Sequence, residues 1–166
     1  MARCWPSGCG REVGLLILPL GAGLVIGIGN PLRGDDGAAW QLLAPWQLWD
    51  GVHLVQQLTP EWAAPLATVQ RVLFVDAWLG DHPGSPELRP LQPDPDAAGA
   101  SSPTGSHGLE PAGLLALAAV LYGAQPQAHL LLLPAFDFGH GTGLSPQLRQ
   151  GLPAARRLLH GWLAHA

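Results

Sequence analysis

Lysine is absent from this chain, so all eight basic residues are arginine. A phosphate-binding loop of the Gly-Lys-Ser/Thr kind therefore cannot occur. Charge of either sign is sparse, 12% of 166 residues, and the formal net charge is −4. The arginines are scattered, whereas phosphate backbones demand clustered cations, which argues against nucleic-acid binding. Cysteine is nearly absent too: Cys4 and Cys9 are the two, both within the first ten residues. Two thiols make neither a disulfide framework nor a complete zinc site, and a reducing, cytoplasmic setting is the simplest expectation. There is no Gly-x-Ser-x-Gly nucleophile elbow and no His-Glu-x-x-His metalloprotease helix.

Apolar residues, by contrast, make up 48% of the chain, enough to fill one core at this length. Val13 to Gly29 is a stretch of 17 residues without a charge, preceded by Arg3 and Arg11. It loosely mimics a signal peptide. It falls short of a membrane span, and Pro19 and its five glycines weaken that reading further. The expected organisation is a poorly ordered N-terminal extension, residues 1–23, followed by a single α/β domain over 24–166 with no membrane segment.

The stretch that organises this domain is Leu24-Val25-Ile26-Gly27-Ile28-Gly29-Asn30-Pro31-Leu32-Arg33-Gly34-Asp35-Asp36-Gly37. It predicts a buried strand over 24–29, a tight turn bearing two carboxylates, and a helix over about 36–48 that buries Trp40, Leu43 and Trp46 or Leu48, with Pro45 kinking or shortening it. A second strand is expected at 52–58. Thr59-Pro60 then caps and opens a helix reaching about Val69. Arg71 to Asp76 reads as a central parallel strand because it is a continuous apolar run ending in acid. Glu87–Leu91 suggests a short edge strand, and 92–106 a long loop. A helix from 109–111 to Gly123, a strand at 128–133 and a helix from Ser145-Pro146 to about Trp162 complete the chain. Strands alternating with helices imply a three-layer fold: a mostly parallel, twisted sheet of about five strands with helices on both faces.

Parallel strands place their carboxyl ends on one edge, where ligands bind in open α/β sheets. On that edge fall Asn30, Asp35, Asp36, Thr59, Glu61, Asp76, Asp137 and His140, with Ser106-His107 ahead of the third helix. Thr59 and Glu61 are explained by capping, and Asp35 reads most simply as the N-cap of the first helix. Asp36 could merely complement a helix dipole. Asp76 ends a buried apolar strand, where an unpartnered carboxylate is costly. Asp36, Asp76 and His107 together make an O/O/N set suited to a borderline divalent ion such as nickel, zinc or manganese, with positions left open. A dinucleotide fingerprint begins at Gly27-Ile28-Gly29, but Leu32 stands where its third glycine belongs.

Gly27 to Gly37 resembles the N-terminal signature of the nickel–iron hydrogenase maturation endopeptidases. Val75-Asp76-Ala77 is similar to that family's second motif, Ser106-His107-Gly108-Leu109 to its third, and Gly143-Leu144-Ser145-Pro146 also fits. Gln57-Leu58-Thr59-Pro60-Glu61 resembles the branch acting on bidirectional, NAD(P)-linked hydrogenases. The resemblance covers about residues 24–163. It implies a peptide-bond hydrolase that removes a C-terminal peptide from the hydrogenase large subunit precursor once nickel is inserted. It also implies that Asp36, Asp76 and His107 contact nickel supplied by the substrate. No organic cofactor is expected, and the chain is expected to be a monomer. Water is the expected nucleophile, and a free carboxylate, Asp35 or Asp36, the candidate base. Asp stands at 36 where some relatives carry Glu, and residues 1–23 match nothing in the family. A non-enzymatic metal-binding chaperone using the same ligands is the alternative, and a nucleotide-binding doubly wound protein a more remote one.

Overall fold

The computed structural model describes residues 23–79, 84–98 and 109–164. The strands are β1 (Gly23–Ile28), β2 (Val52–Val55), β3 (Arg71–Leu79), β4 (Glu87–Leu91) and β5 (Gln127–Ala135). The helices are α1 (Ala38–Leu43), α2 (Ala63–Leu66), α3 (Pro111–Tyr122) and α4 (Pro146–Ala164), with 3-10 turns at Gly34–Gly37, Ala44–Trp46, Pro60–Trp62 and Asp96–Ala98. The sheet order is β2-β1-β3-β5-β4. All neighbours are parallel except β4, which runs antiparallel to β5 on the edge. This is the expected three-layer α/β architecture.

Strand alternation sorts the core into two layers. Val25, Leu73, Val75, Leu131 and Leu133 point to the face covered by α1 and α4. Leu24, Ile26, Val72, Phe74, Leu130 and Leu132 point to the face covered by α2 and α3. Both faces being buried is why the strands read as unbroken apolar runs. Two prolines sit where the ladder needs no N–H. Pro90 faces outward on the edge strand, opposite His129, and Pro134 lies beyond the last β4–β5 rung at Glu87 and Leu132.

The elements depart from expectation where partners, not local sequence, set their length. β1 starts at Gly23, one residue early; residues 1–22, expected to be a poorly ordered extension, lie outside the described residues. The first helix is not continuous over 36–48. It is a 3-10 turn, six residues of α1 and a second 3-10 turn around Pro45, and Leu48 is 91% exposed. β2 stops at Val55, because the last rung there goes to Gly29, where β1 turns away. The second helix ends at Leu66 in i→i+3 bonds, Ala67 to Ala64 and Thr68 to Pro65, and the Thr68 hydroxyl also donates to the Pro65 carbonyl. β3 runs three residues past Asp76, held by β5 through the Leu79–Ala135 pair. The edge strand at Glu87–Leu91 and the Gly123 cap of α3, left-handed at φ 67°, are as expected.

At the amino edge of the sheet, Trp162 of α4 stacks under Arg71, 4.0 Å from the guanidinium carbon. Its carbonyl accepts from Arg71 and its indole N–H donates to His129 Nδ1 at 3.2 Å. No described helix is long and apolar enough to cross a membrane.

Candidate functional site

The chain leaves β1 outward to β2, then returns past β1 to form β3, so the direction of sheet growth reverses between β1 and β3. Such a reversal leaves a crevice at the carboxyl ends of the two strands. Asp36 follows β1 and Asp76 lies on β3, one residue beyond the last β1–β3 pair, Gly27–Val75. The two acids therefore meet where the sheet opens.

The turn after β1 is dictated by its glycines and Asn30. Gly29 adopts φ +131°, and a side chain there would run into the Asp36 carbonyl. The Asn30 side chain accepts from Leu32 N at 2.9 Å, the Trp40 indole N–H donates to the Gly29 carbonyl at 2.8 Å, and Asn30 N donates to Asp36 Oδ2 at 3.1 Å. The Asp36 carboxylate is thus aimed back over the end of β1. Partial burial raises its pKa, opposed by the Asn30 N–H and the charge of Arg33.

Asp76 is pushed further. Burial lifts its pKa to about 7, its own Ala77 N–H (2.8 Å) works against the rise, and the negative charges of Asp36 and Glu110 add to it. Near neutrality the pair therefore holds a proton that a cation can displace. Glu110 was not singled out in the sequence as an acid of this edge. Its signal was its position just before Pro111, at the N-terminus of α3.

Asp35 is a correction. It was expected as a helix cap and offered as a candidate base, but it is fully buried and serves neither role. Its Oδ2 accepts from Phe136 N (2.8 Å), Asp137 N (3.2 Å) and the Ser145 hydroxyl (2.7 Å), and its Oδ1 from Ser145 N (2.6 Å). Four donors fill the carboxylate, so it has no free aspect for water. Around it the two loops are stitched together: Gly34 N donates to the Gly141 carbonyl, Asp35 N to that of Asp137, and Gly141 N to that of Leu32. The Arg33 guanidinium lies 5.8 Å over the Phe138 ring across the same seam.

The other candidates separate from the pair. The Asp137 carboxylate closes its own turn onto Gly139 N at 2.7 Å, and His140 is exposed. Thr59 has the extended backbone of a cap, but its side chain bonds the Glu61 carboxylate, lowering that acid's pKa, and makes no cap bond to the helix backbone. His107, the third member of the proposed O/O/N set, and Ser106 lie outside the described residues. Leu109 N, two positions on, donates to the Leu58 carbonyl at 3.3 Å, which joins the segment entering α3 to the end of the β2 segment. Among the described residues no three His, Cys, Asp or Glu side chains are grouped to hold a metal. A cleft of about 290 Å³ lined by Pro90, Leu91, Leu115, Pro126 and His129, among others, lies at the opposite edge and carries no carboxylate.

No family model and no curated protein matches this chain. Solved structures do. The hydrogenase maturating endopeptidase HybD from E. coli is 19% identical with a TM-score of 0.68, over 87% of this chain and 93% of that one. The hydrogenase 2 maturation peptidase from Thaumarchaeota archaeon SCGC_AB-539-E09 is 25% identical with a TM-score of 0.57, over 86% and 97%. The NiFe hydrogenase maturation protease HybD from Thermococcus kodakarensis is 19% identical with a TM-score of 0.58, over 86% and 99%. The fold of this chain is that of the nickel–iron hydrogenase maturation proteases.

Proposed function

We propose that this protein is an endopeptidase that removes a C-terminal peptide from a nickel-loaded hydrogenase large subunit precursor in the cytoplasm. The observation that carries the reading is the convergence of Asp36 and Asp76 at the β1–β3 crevice. The shared fold and the glycine-rich signature at 27–37 support it. Nickel arrives with the substrate. Asp36, Asp76 and His107 contact it, so that only a loaded precursor is gripped with its scissile bond in the crevice. The proton held near neutrality at Asp76 leaves as the ion binds. Asp36 is the base left to take a proton from the attacking water once Asp35, fully buried and hydrogen-bonded, is discounted. The water oxygen adds to the scissile carbonyl, the C–N bond breaks, and the proton passes to the leaving amine. Gln57 to Glu61, at the exit of β2, supports a substrate of the bidirectional, NAD(P)-linked class.

The test is intact-mass analysis of precursor, with and without nickel, incubated with the protein. The expected outcome is nickel-dependent loss of a C-terminal peptide, reduced at least about 100-fold in each of Asp36→Asn, Asp76→Asn and His107→Ala. Wild-type rates in all three would overturn the assignment of the site. Nickel bound without cleavage by the unmodified protein would overturn the activity and favour a metal chaperone.

A further inference from the structure

A helix that covers one face of a sheet normally turns a polar side to solvent. α3 has no such side. From Pro111 to Phe136 the sequence carries no Asp, Glu, Lys or Arg, and Tyr122 is the first residue of α3 with a polar side-chain atom. The inner side of the helix buries Leu114, Leu115 and Ala118. Its last turn stands clear: Val120 is 82% exposed, Leu121 57% and Tyr122 54%. Half-buried Leu117 lies one turn before Leu121 on the same side. Single exposed apolar residues are ordinary, but three large ones in succession make a patch. This turn lies at the amino edge of the sheet. α3 ends at Tyr122, shortly before β5 begins at Gln127. Gln127 pairs with Arg71, and Arg71 with Gly23, the first residue of β1. Two strand spacings, about 10 Å, therefore separate Gly23 from the start of the strand that α3 feeds. Leu24, next in the chain, points to the face that α3 covers.

We propose that the chain ahead of β1, Val13 to Leu20, packs over the last turn of α3 and covers Val120, Leu121 and Tyr122. That segment reads Val-Gly-Leu-Leu-Ile-Leu-Pro-Leu and carries no charge. Left in water it exposes as much apolar surface as the patch does, and the contact removes both from solvent without desolvating an ion. Gly21 and Ala22 alone stand between the segment and β1, so Leu20 lies within about 10 Å of Gly23. The stretch from Val13 to Ala22 spans at most about 35 Å. α3, at 12 residues, is about 18 Å long, so the tether reaches the whole patch. The tether also decides between occupants: a segment joined to the sheet by two residues competes at a far higher effective concentration than a second copy of the chain. α3 is then secured at both ends, by the Leu109 N bond to the Leu58 carbonyl at its entry and by the segment at its exit.

Two measurements on the full-length chain test it. A photoreactive phenylalanine analogue is placed at position 121 and the cross-linked peptides are identified by mass spectrometry. The expected product joins position 121 to a residue of 13–20 and keeps the mass of one chain. A product of twice that mass would overturn the intramolecular contact in favour of a second copy. Cross-links that avoid 13–20, or purified protein whose intact mass lacks those residues, would overturn it outright. The second measurement is urea unfolding of Leu121→Gln, Leu16→Gln and the two combined. On an uncovered surface Leu121→Gln changes the folding equilibrium constant by no more than about twofold. Under the proposal each single change lowers it about tenfold, and the pair lowers it by well under 100-fold because both remove the same contact. No loss in either single variant, or losses that simply multiply in the pair, would overturn the contact.

Discussion

Asp76 couples the site to stability. Its pKa is raised from 3.8 to about 7, chiefly by burial. The folded state therefore binds a proton more tightly than the unfolded chain does. The folded protein gains nothing from ionising this group, and wild-type stability falls as pH rises from about 4 through 7. Asp76→Asn removes that slope while keeping an oxygen for the Ala77 N–H. The variant, free of metal, should match the wild type in urea melts at pH 4 and exceed it by on the order of 1–3 kcal/mol at pH 8. Equal stability at pH 8 would show that the carboxylate is better solvated than its surroundings indicate. Asp76 was readable in the sequence because acid at the end of an apolar strand is anomalous wherever the strand lies, and Asp36 because it sits in the glycine-rich turn after the first strand. Asp35 was misread because nothing near it in sequence reveals its partners: the four donors come from Phe136, Asp137 and Ser145.

The elements that meet at Asp35 form the seam of the site. The Ser145 hydroxyl bonds that carboxylate and also accepts from Leu148 N at 3.2 Å, so one side chain caps α4 and closes the loop after β5. Asp35→Ala strands four donors and should cost about 3 kcal/mol or more in chemical denaturation, whereas Ser145→Ala should cost about 1–2 kcal/mol. The double variant should lose less than the sum of the two, since part of each loss is the same bond. Element order was legible because central strands are apolar runs and the helices carry Pro and Gly punctuation, as at Pro111 and Gly123. Element length was not. Ala77 to Leu79 are strand because β5 continues beside them, and Gln56 to Leu58 are not because β1 has already turned. Those causes belong to pairing, which is invisible within a single segment.

At the scale of the molecule, one sheet separates two apolar layers that share no side chains. Phe74 is fully buried against α2 and α3, and Leu133 against α1 and α4. Each truncation to alanine should cost about 3 kcal/mol. Circular dichroism and tryptophan fluorescence should nonetheless report one coincident transition in both variants, because the strands belong to both layers. Two separated transitions would mean that the layers melt independently. Paired apolar strands predicted this layering from the sequence. The crevice was legible only as an edge, since strand order, and with it the reversal between β1 and β3, is written in pairings alone.

The seam also sets a timetable. Asp35 and its donors are separated by 101 to 110 positions, so the loop presenting Asp36 has nothing to close against until β5 and the start of α4 have left the ribosome. A nascent chain emerging from its N-terminus carries both acids long before it can hold the first of them in place. Competence to cut thus arrives as one of the last events of biosynthesis, after the sheet has acquired its fourth parallel strand.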